Sequence, residues 1–274
     1  MDAKQLTDLR TATQLLETTG LPIRIAGVVG APIEKVLAKL PAGANEAIAR
    51  AAQKAVGLSL DAALKTMRRQ QDGLTDPNGA TNRWHKAAVA VTGAGGGAFG
   101  LAALAVELPI STTIMMRSIA DIARSEGANL GDPETQLECI QVLTLGGLGS
   151  SDDAADLGYI ATRQVLATSV SEATKFLATS SLKRAMNRQA APQLVRFITQ
   201  VAQRFSVQVS NKAAAQMVPI LGAAGGALIN AVFIDHFQKM ARGHFVVRRL
   251  ERLYGSEPVQ EKYLHFRQQM LAQK

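Results

Sequence analysis

A chain of 274 residues, 47% of them hydrophobic and 4% aromatic, is long enough to bury a substantial core, and its scarcity of alternating β-branched runs sets an all-α expectation over a β sandwich or barrel. The single cysteine, Cys139, excludes an internal disulfide, and a net charge of +8 favours an anionic partner. The start, MDAKQLTDLR, carries acids where a secretion signal needs a basic end and an apolar run, so cytoplasmic residence is expected.

Lys4 to Thr18 places Leu6, Leu9, Leu15 and Leu16 at helical intervals, with Gly20 and Pro22 closing the segment. Leu21 to Leu40 is a more apolar helix interrupted by Gly27, Gly30 and Pro32. Asn45 to Arg69 follows as a helix with Ile48, Ala52, Val56, Leu60 and Leu64 on one side and Arg50, Lys54, Asp61 and Arg68 on the other. Residues 1–71 thus read as an N-terminal helical layer, and the turn-forming QDGLTDPNGATN separates it from a core, residues 83–274, with which it forms one compact unit.

Trp84, flanked by Arg83, His85 and Lys86, reads either as an interfacial anchor or as a core side chain. Ala87 to Met116 then carries one charge, Glu107, which must be paired, protonated or lining a cavity; an Arg or His partner is expected. Beyond it Arg117, Asp121 and Arg124 share one helical face until Gly127 to Gly131 end the helix. Asp132 and Pro133 suit the cap and first position of the next helix, where Cys139 in QLECIQVL reads as a buried, inert thiol. LGGLGSS is a break, and Asp152 with Asp153 suits the start of a helix from Ala154 to about Ala178.

Ser181 to Gln189 is a basic connector, and Pro192 to Asn211 a helix with Leu194, Ile198, Val201, Phe205 and Val209 in register. Ala213 to Ile234 is a second charge-free stretch, followed by a basic helix from Asp235 to Tyr254 and a short one from Pro258 to Gln273. Setting GAGGGAFG at Gly93 over GAAGGALI at Gly222 aligns the small residues and brings Glu107 over His236, beside Asp235. Such a pseudo-repeat would pack two helices through Gly93, Gly96, Gly97 and Gly100 on one and Gly222, Gly225 and Gly226 on the other.

Charge is segregated along the chain. Glu126, Asp132, Glu134, Glu138, Asp152, Asp153 and Asp156 fall in a block without Lys or Arg, whereas Ala173 to Ile234 holds no carboxylate. Lys183, Arg184, Arg188, Lys239, Arg242, Arg248, Arg249 and Arg252 could form a basic surface facing phospholipid headgroups or a nucleic acid, or the two blocks could pair within the fold. Nucleic-acid binding is the weaker of the external readings, because aromatics are few and no reader motif is present.

Enzymatic signals are weak. Gly93-x-Gly95-x-x-Ala98 fits a permissive dinucleotide fingerprint, but no alternating strands follow; there is no Gly-Lys-Ser or Gly-Lys-Thr loop and no HExxH, and His85, His236, His244 and His265 are scattered. Tyr159-xxx-Arg163 replaces the lysine that lowers the tyrosine pKa in short-chain dehydrogenases. No cofactor or metal is expected.

The blocks GAGGGAFGLAALAVELPISTTIMMRSIADIARSEG, DPETQLECIQVLTLGG and VPILGAAGGALINAVF, in that order between about Trp84 and Arg252, resemble the EcsC protein family. The matching positions are Glu107, Pro109, Arg117, Arg124, Gly222, Gly225 and Gly226; the family's acidic step often has Asp where this chain has Glu107, and its second segment continues with Asn, met here by Asn230. The resemblance implies a bacterial helical protein whose founding member is encoded beside an ABC transporter, with no established enzymatic activity and no catalytic residues to carry over. A non-enzymatic, membrane-associated accessory or lipid-interacting protein is therefore expected, peripheral or conditionally inserted at the inner membrane, with anionic lipid and a transporter or other protein as partners. The rival reading is a hydrolase-type or other enzyme centred on Glu107 with Asp235 or His236.

Overall fold

A computed structural model describes residues 1–17, 20–38, 40–71, 106–146, 158–180, 187, 191–216 and 222–272, and all the regular structure among them is helical. In chain order the helices are α1 (Ala3–Glu17), α2 (Leu21–Val29), α3 (Ile33–Leu37), α4 (Ala44–Gln71), α5 (106–125), α6 (Pro133–Gln141) with a 3₁₀ turn at Val142–Thr144, α7 (Tyr159–Thr179), α8 (Pro192–Gln216), α9 (Gly222–Tyr254) and α10 (Ser256–Leu271). The all-α expectation holds.

Local chemistry explains most boundaries. Gly30 takes a left-handed conformation (φ 71°) and donates its N–H to the Ala26 carbonyl, after which Pro32 redirects the chain into α3. Asp132 caps α6 by accepting from the Glu134 N–H, with Pro133 at the first helical position.

Two expectations shift. The helix expected from Ala154 begins at Tyr159, after Gly158; Asp152 and Asp153 lie outside the described residues. Around the second charge-free stretch, α8 runs on past Asn211 to Gln216, and α9 is described from Gly222 and continues unbroken into the basic region; residues 217–221 lie outside the described residues.

α8 and α9 share the centre of the packing. α1 crosses α9 at Gly243, where an added Cβ would lie 2.6 Å from Cγ of Leu16 and 3.1 Å from the Ala12 carbonyl oxygen. α10 covers α1 and α9, α8 packs on α4 and α7, and α6 lies between α4 and α7. Phe205, Phe233 and Phe237 form an interlocked aromatic cluster where α8 meets α9, with ring centroids 5.1–6.1 Å apart. Full burial of each such ring contributes about 1.5–3 kcal/mol.

Candidate functional site

The lone acid of the apolar stretch is the first point at which distant segments meet. Glu107, on the first described turn of α5, is buried, and its Oε1 accepts from Nζ of Lys212 at 2.7 Å and from Nδ2 of Asn230 at 3.1 Å. Lys212 is wholly buried near the end of α8, its Nζ 5.2 Å from the Phe233 ring centroid. Burial drives the Lys212 pKa below 10.5, opposed by the Glu107 charge. Glu107 is thus paired as expected, but with a lysine in place of an Arg or His, and Lys212 is no part of any basic surface.

The other motif residues scatter around this pair. Pro109 is buried, Arg117 is exposed, and Asp121 and Arg124 are 3.7 Å apart. Asp235 joins Arg24 at 2.5 Å and Lys239 at 3.0 Å. His236 is buried, donates from Nε2 to the Leu145 carbonyl at 3.3 Å, and is pushed down to about 4 by that burial. Glu107, Asp235 and His236 therefore keep separate partners. Gly222 opens α9, and Gly225 and Gly226 are buried. Gly93, Gly96, Gly97, Gly100, Trp84, Lys183, Arg184 and Arg188 lie outside the described residues.

Among the described residues, Glu126, Glu134 and Glu138 of the acidic block meet arginines of the basic one. Arg248 donates to Oε1 of Glu134 at 2.6 Å and to Oε2 of Glu251 at 2.8 Å, and its Nε faces the Glu138 carboxylate. Arg249 bridges Asp8 at 2.7 Å and Glu126 at 3.3 Å, and Arg252 donates to the Glu126 carbonyl at 3.0 Å. Two cations expected at the surface, Arg248 and Arg249, are thereby held against carboxylates, while Lys239, Arg242 and Arg252 remain exposed.

This network continues into one that the sequence reading did not assemble. Arg163 of α7 grips Glu251 of α9 with two hydrogen bonds of 2.8 and 3.0 Å, and also donates at 3.4 Å to the hydroxyl of Tyr159, one turn earlier. That hydroxyl lies 2.9 Å from Nδ1 of buried His244, whose pKa burial and the charges of Arg163 and Arg248 hold well below 6.5. Burial raises Glu138 to about 7 despite Arg248. Burial acts in the same direction on Glu251, but the hydrogen bonds and charges of Arg163 and Arg248 outweigh it and lower its pKa. Glu134, Glu138, Arg163 and Arg248 stand at one end of a cavity of about 400 Å³ between α6 and α7, with Thr174 and Lys175 also on its wall. The sequence signal that could have found it was the Tyr159-xxx-Arg163 pair.

Cys139 is buried, and that burial pushes its thiol pKa up, as expected for an inert side chain. Among the described residues no His, Cys, Asp and Glu side chains group in a way that could hold a metal ion, and no helix is long and apolar enough to cross a membrane. In comparison with known proteins, the model of the EcsC protein family matches residues 3–250, reaching back through α1–α4 where the motif resemblance began near Trp84. No curated protein and no solved structure matches the chain.

Proposed function

The chain belongs to the EcsC protein family, and from that premise we propose that it is a non-enzymatic accessory protein that docks peripherally on an anionic membrane with the α5 end leading. The observation that carries this reading is the outer face of α5. Val106 and Ile110, 66% and 47% exposed, lie on the same helical face as exposed Arg117. Arg117 stands about 16 Å behind Val106 along the axis. An apolar tip followed by a cation at that spacing suits acyl chains below and phosphate headgroups above.

Two further features support the same end. Leu228 is 51% exposed two residues before Asn230, which contacts Glu107, so it adds to the apolar edge. The Glu107 contact with Asn230 also joins the two apolar stretches of sequence at this place, and thirteen of the twenty residues from Ala87 to Val106 are Gly or Ala. Side-chain-poor segments of this kind contribute little transfer free energy, which favours shallow docking over stable spanning.

Co-sedimentation with phosphatidylglycerol and phosphatidylcholine vesicles tests the reading. Pelleting with the anionic vesicles alone, weakened by salt and by Ile110→Asp or Arg117→Glu, is expected. A protein that stays in the supernatant with both lipids at low salt would overturn it.

A further inference from the structure

The cavity between α6 and α7 has an unbalanced charged end. Three carboxylates, Glu134, Glu138 and Glu251, share two guanidinium groups, those of Arg163 and Arg248. Glu251 takes both hydrogen bonds of the Arg163 fork and one from Arg248, which leaves Arg248 alone to serve the Glu134 and Glu138 carboxylates on the cavity wall. Tyr159 and His244, behind the arginines, add no positive charge, since burial keeps both neutral. Lys175 stands twelve residues beyond Arg163 along α7, about 18 Å away, too far to compensate. The end that holds Glu138 is one positive charge short.

The rest of the wall has a different chemistry. Ala167 and Val170 give it an apolar middle, and Thr174 contributes a buried hydroxyl that has no hydrogen-bond partner among the described residues. We infer that this cavity binds a small organic cation, an alkylammonium or alkyl diammonium ion, whose charged nitrogen docks on Glu134 and Glu138 while its hydrocarbon lies along Ala167 and Val170. An anion finds no such place, because every guanidinium hydrogen bond described for Arg163 and Arg248 already goes to a carboxylate or to Tyr159. The inference does not depend on membrane docking.

Binding is coupled to a proton. Glu138 faces Arg248 of α9, Arg163 of α7 and Glu134 of its own helix, and the proton it holds near pH 7 occupies the place of the missing charge. A docking ammonium expels that proton.

Isothermal titration of the full chain with putrescine and spermidine at pH 7, in two buffers of different ionisation enthalpy, tests this. Saturable binding with proton release is expected. Glu138→Gln should abolish the release and weaken binding about thirtyfold or more. Ala167→Leu, which fills the middle of the cavity from an exposed helical position, should block binding while leaving the melting temperature in place. Absence of binding by either amine at millimolar concentration, binding unchanged in Ala167→Leu, or a preference for inorganic phosphate would each overturn the inference.

Discussion

Nζ of Lys212 lies 2.7 Å from Oε1 of Glu107 with the lysine wholly buried and the glutamate 5% exposed, so a single ion pair closes a separation of 105 residues. The pair is costly to break from one side, because the remaining charge has no water to turn to. Lys212→Met is expected to destabilise the fold by about 3–5 kcal/mol. Glu107→Leu combined with Lys212→Met should recover most of that loss, and a double-mutant cycle on urea midpoints measures the difference.

Glu138 makes stability fall with rising pH. Its pKa is raised from 4.5 to about 7 in the fold, so between those values the folded state holds more protons than the unfolded chain. The contribution of the neutral acid is fully present below 4.5 and disappears as pH rises to about 7. The difference amounts to about 3 kcal/mol at most. Urea titrations from acid to neutral pH should show the wild type losing stability relative to Glu138→Gln across that window and running parallel to it above.

His236 acts in the opposite sense. It is buried and neutral, lowered from 6.5 to about 4, so the unfolded chain takes up a proton first as the solution is acidified. Stability from this residue is complete above 6.5 and is lost as pH falls toward 4. Between pH 6.5 and 5 the wild type should lose about 2 kcal/mol relative to His236→Gln. Glutamine can still donate to the Leu145 carbonyl, so the comparison isolates the titration. An unchanged difference between the two proteins over that range would remove the assignment.

Glycines separate by what their missing Cβ would meet. Gly243→Ala drives a methyl group into Leu16 and the Ala12 carbonyl, and should loosen α1 from α9 at a cost of about 1–3 kcal/mol. Gly57→Ala on α4 meets no atom within 4 Å, and should stabilise by about 0.5–1 kcal/mol. Gly146 has φ 68° and abuts the His236 ring, so Gly146→Ala is both strained and overpacked. Thermal melts should place Gly57→Ala above the wild type and both Gly243→Ala and Gly146→Ala below it.

Helical content and most helix positions were legible in the sequence. The 3.6-residue period of α4 and the Asp132-Pro133 start of α6 each follow from side chains close in sequence. The extent of α8 and α9 was less legible, because a run of Ala, Gly and Leu has no polar face to mark where one helix stops. The periodic pattern of α8 ends at Asn211, yet the helix continues because Ala213, Ala214 and Ala215 pack into the core. Gly243 stands apart from the glycine clusters in sequence, and its contact with Leu16 and Ala12 of α1 exists only once α1 and α9 pack.

The cavity lay beyond the reach of sequence reading. Tyr159 and Arg163 were visible as neighbours on one helical face, but their partners, His244 and Glu251, lie 85 and 88 residues away. Likewise, the paired charge blocks could be seen as a segregation of acids from bases without showing which of them would touch.

By itself the sequence determined an all-helical chain of EcsC type holding one acid in a long apolar run, because local propensity, capping and hydrophobic period act over a few residues. Only the tertiary structure decided that this acid meets Lys212, that Arg248 and Arg249 turn inward to carboxylates, and that Glu134 and Glu138 share too little positive charge. Those outcomes depend on which helices pack together. Burial converts such contacts into pKa shifts and strong ion pairs, since the low dielectric of the interior magnifies charges that water would screen.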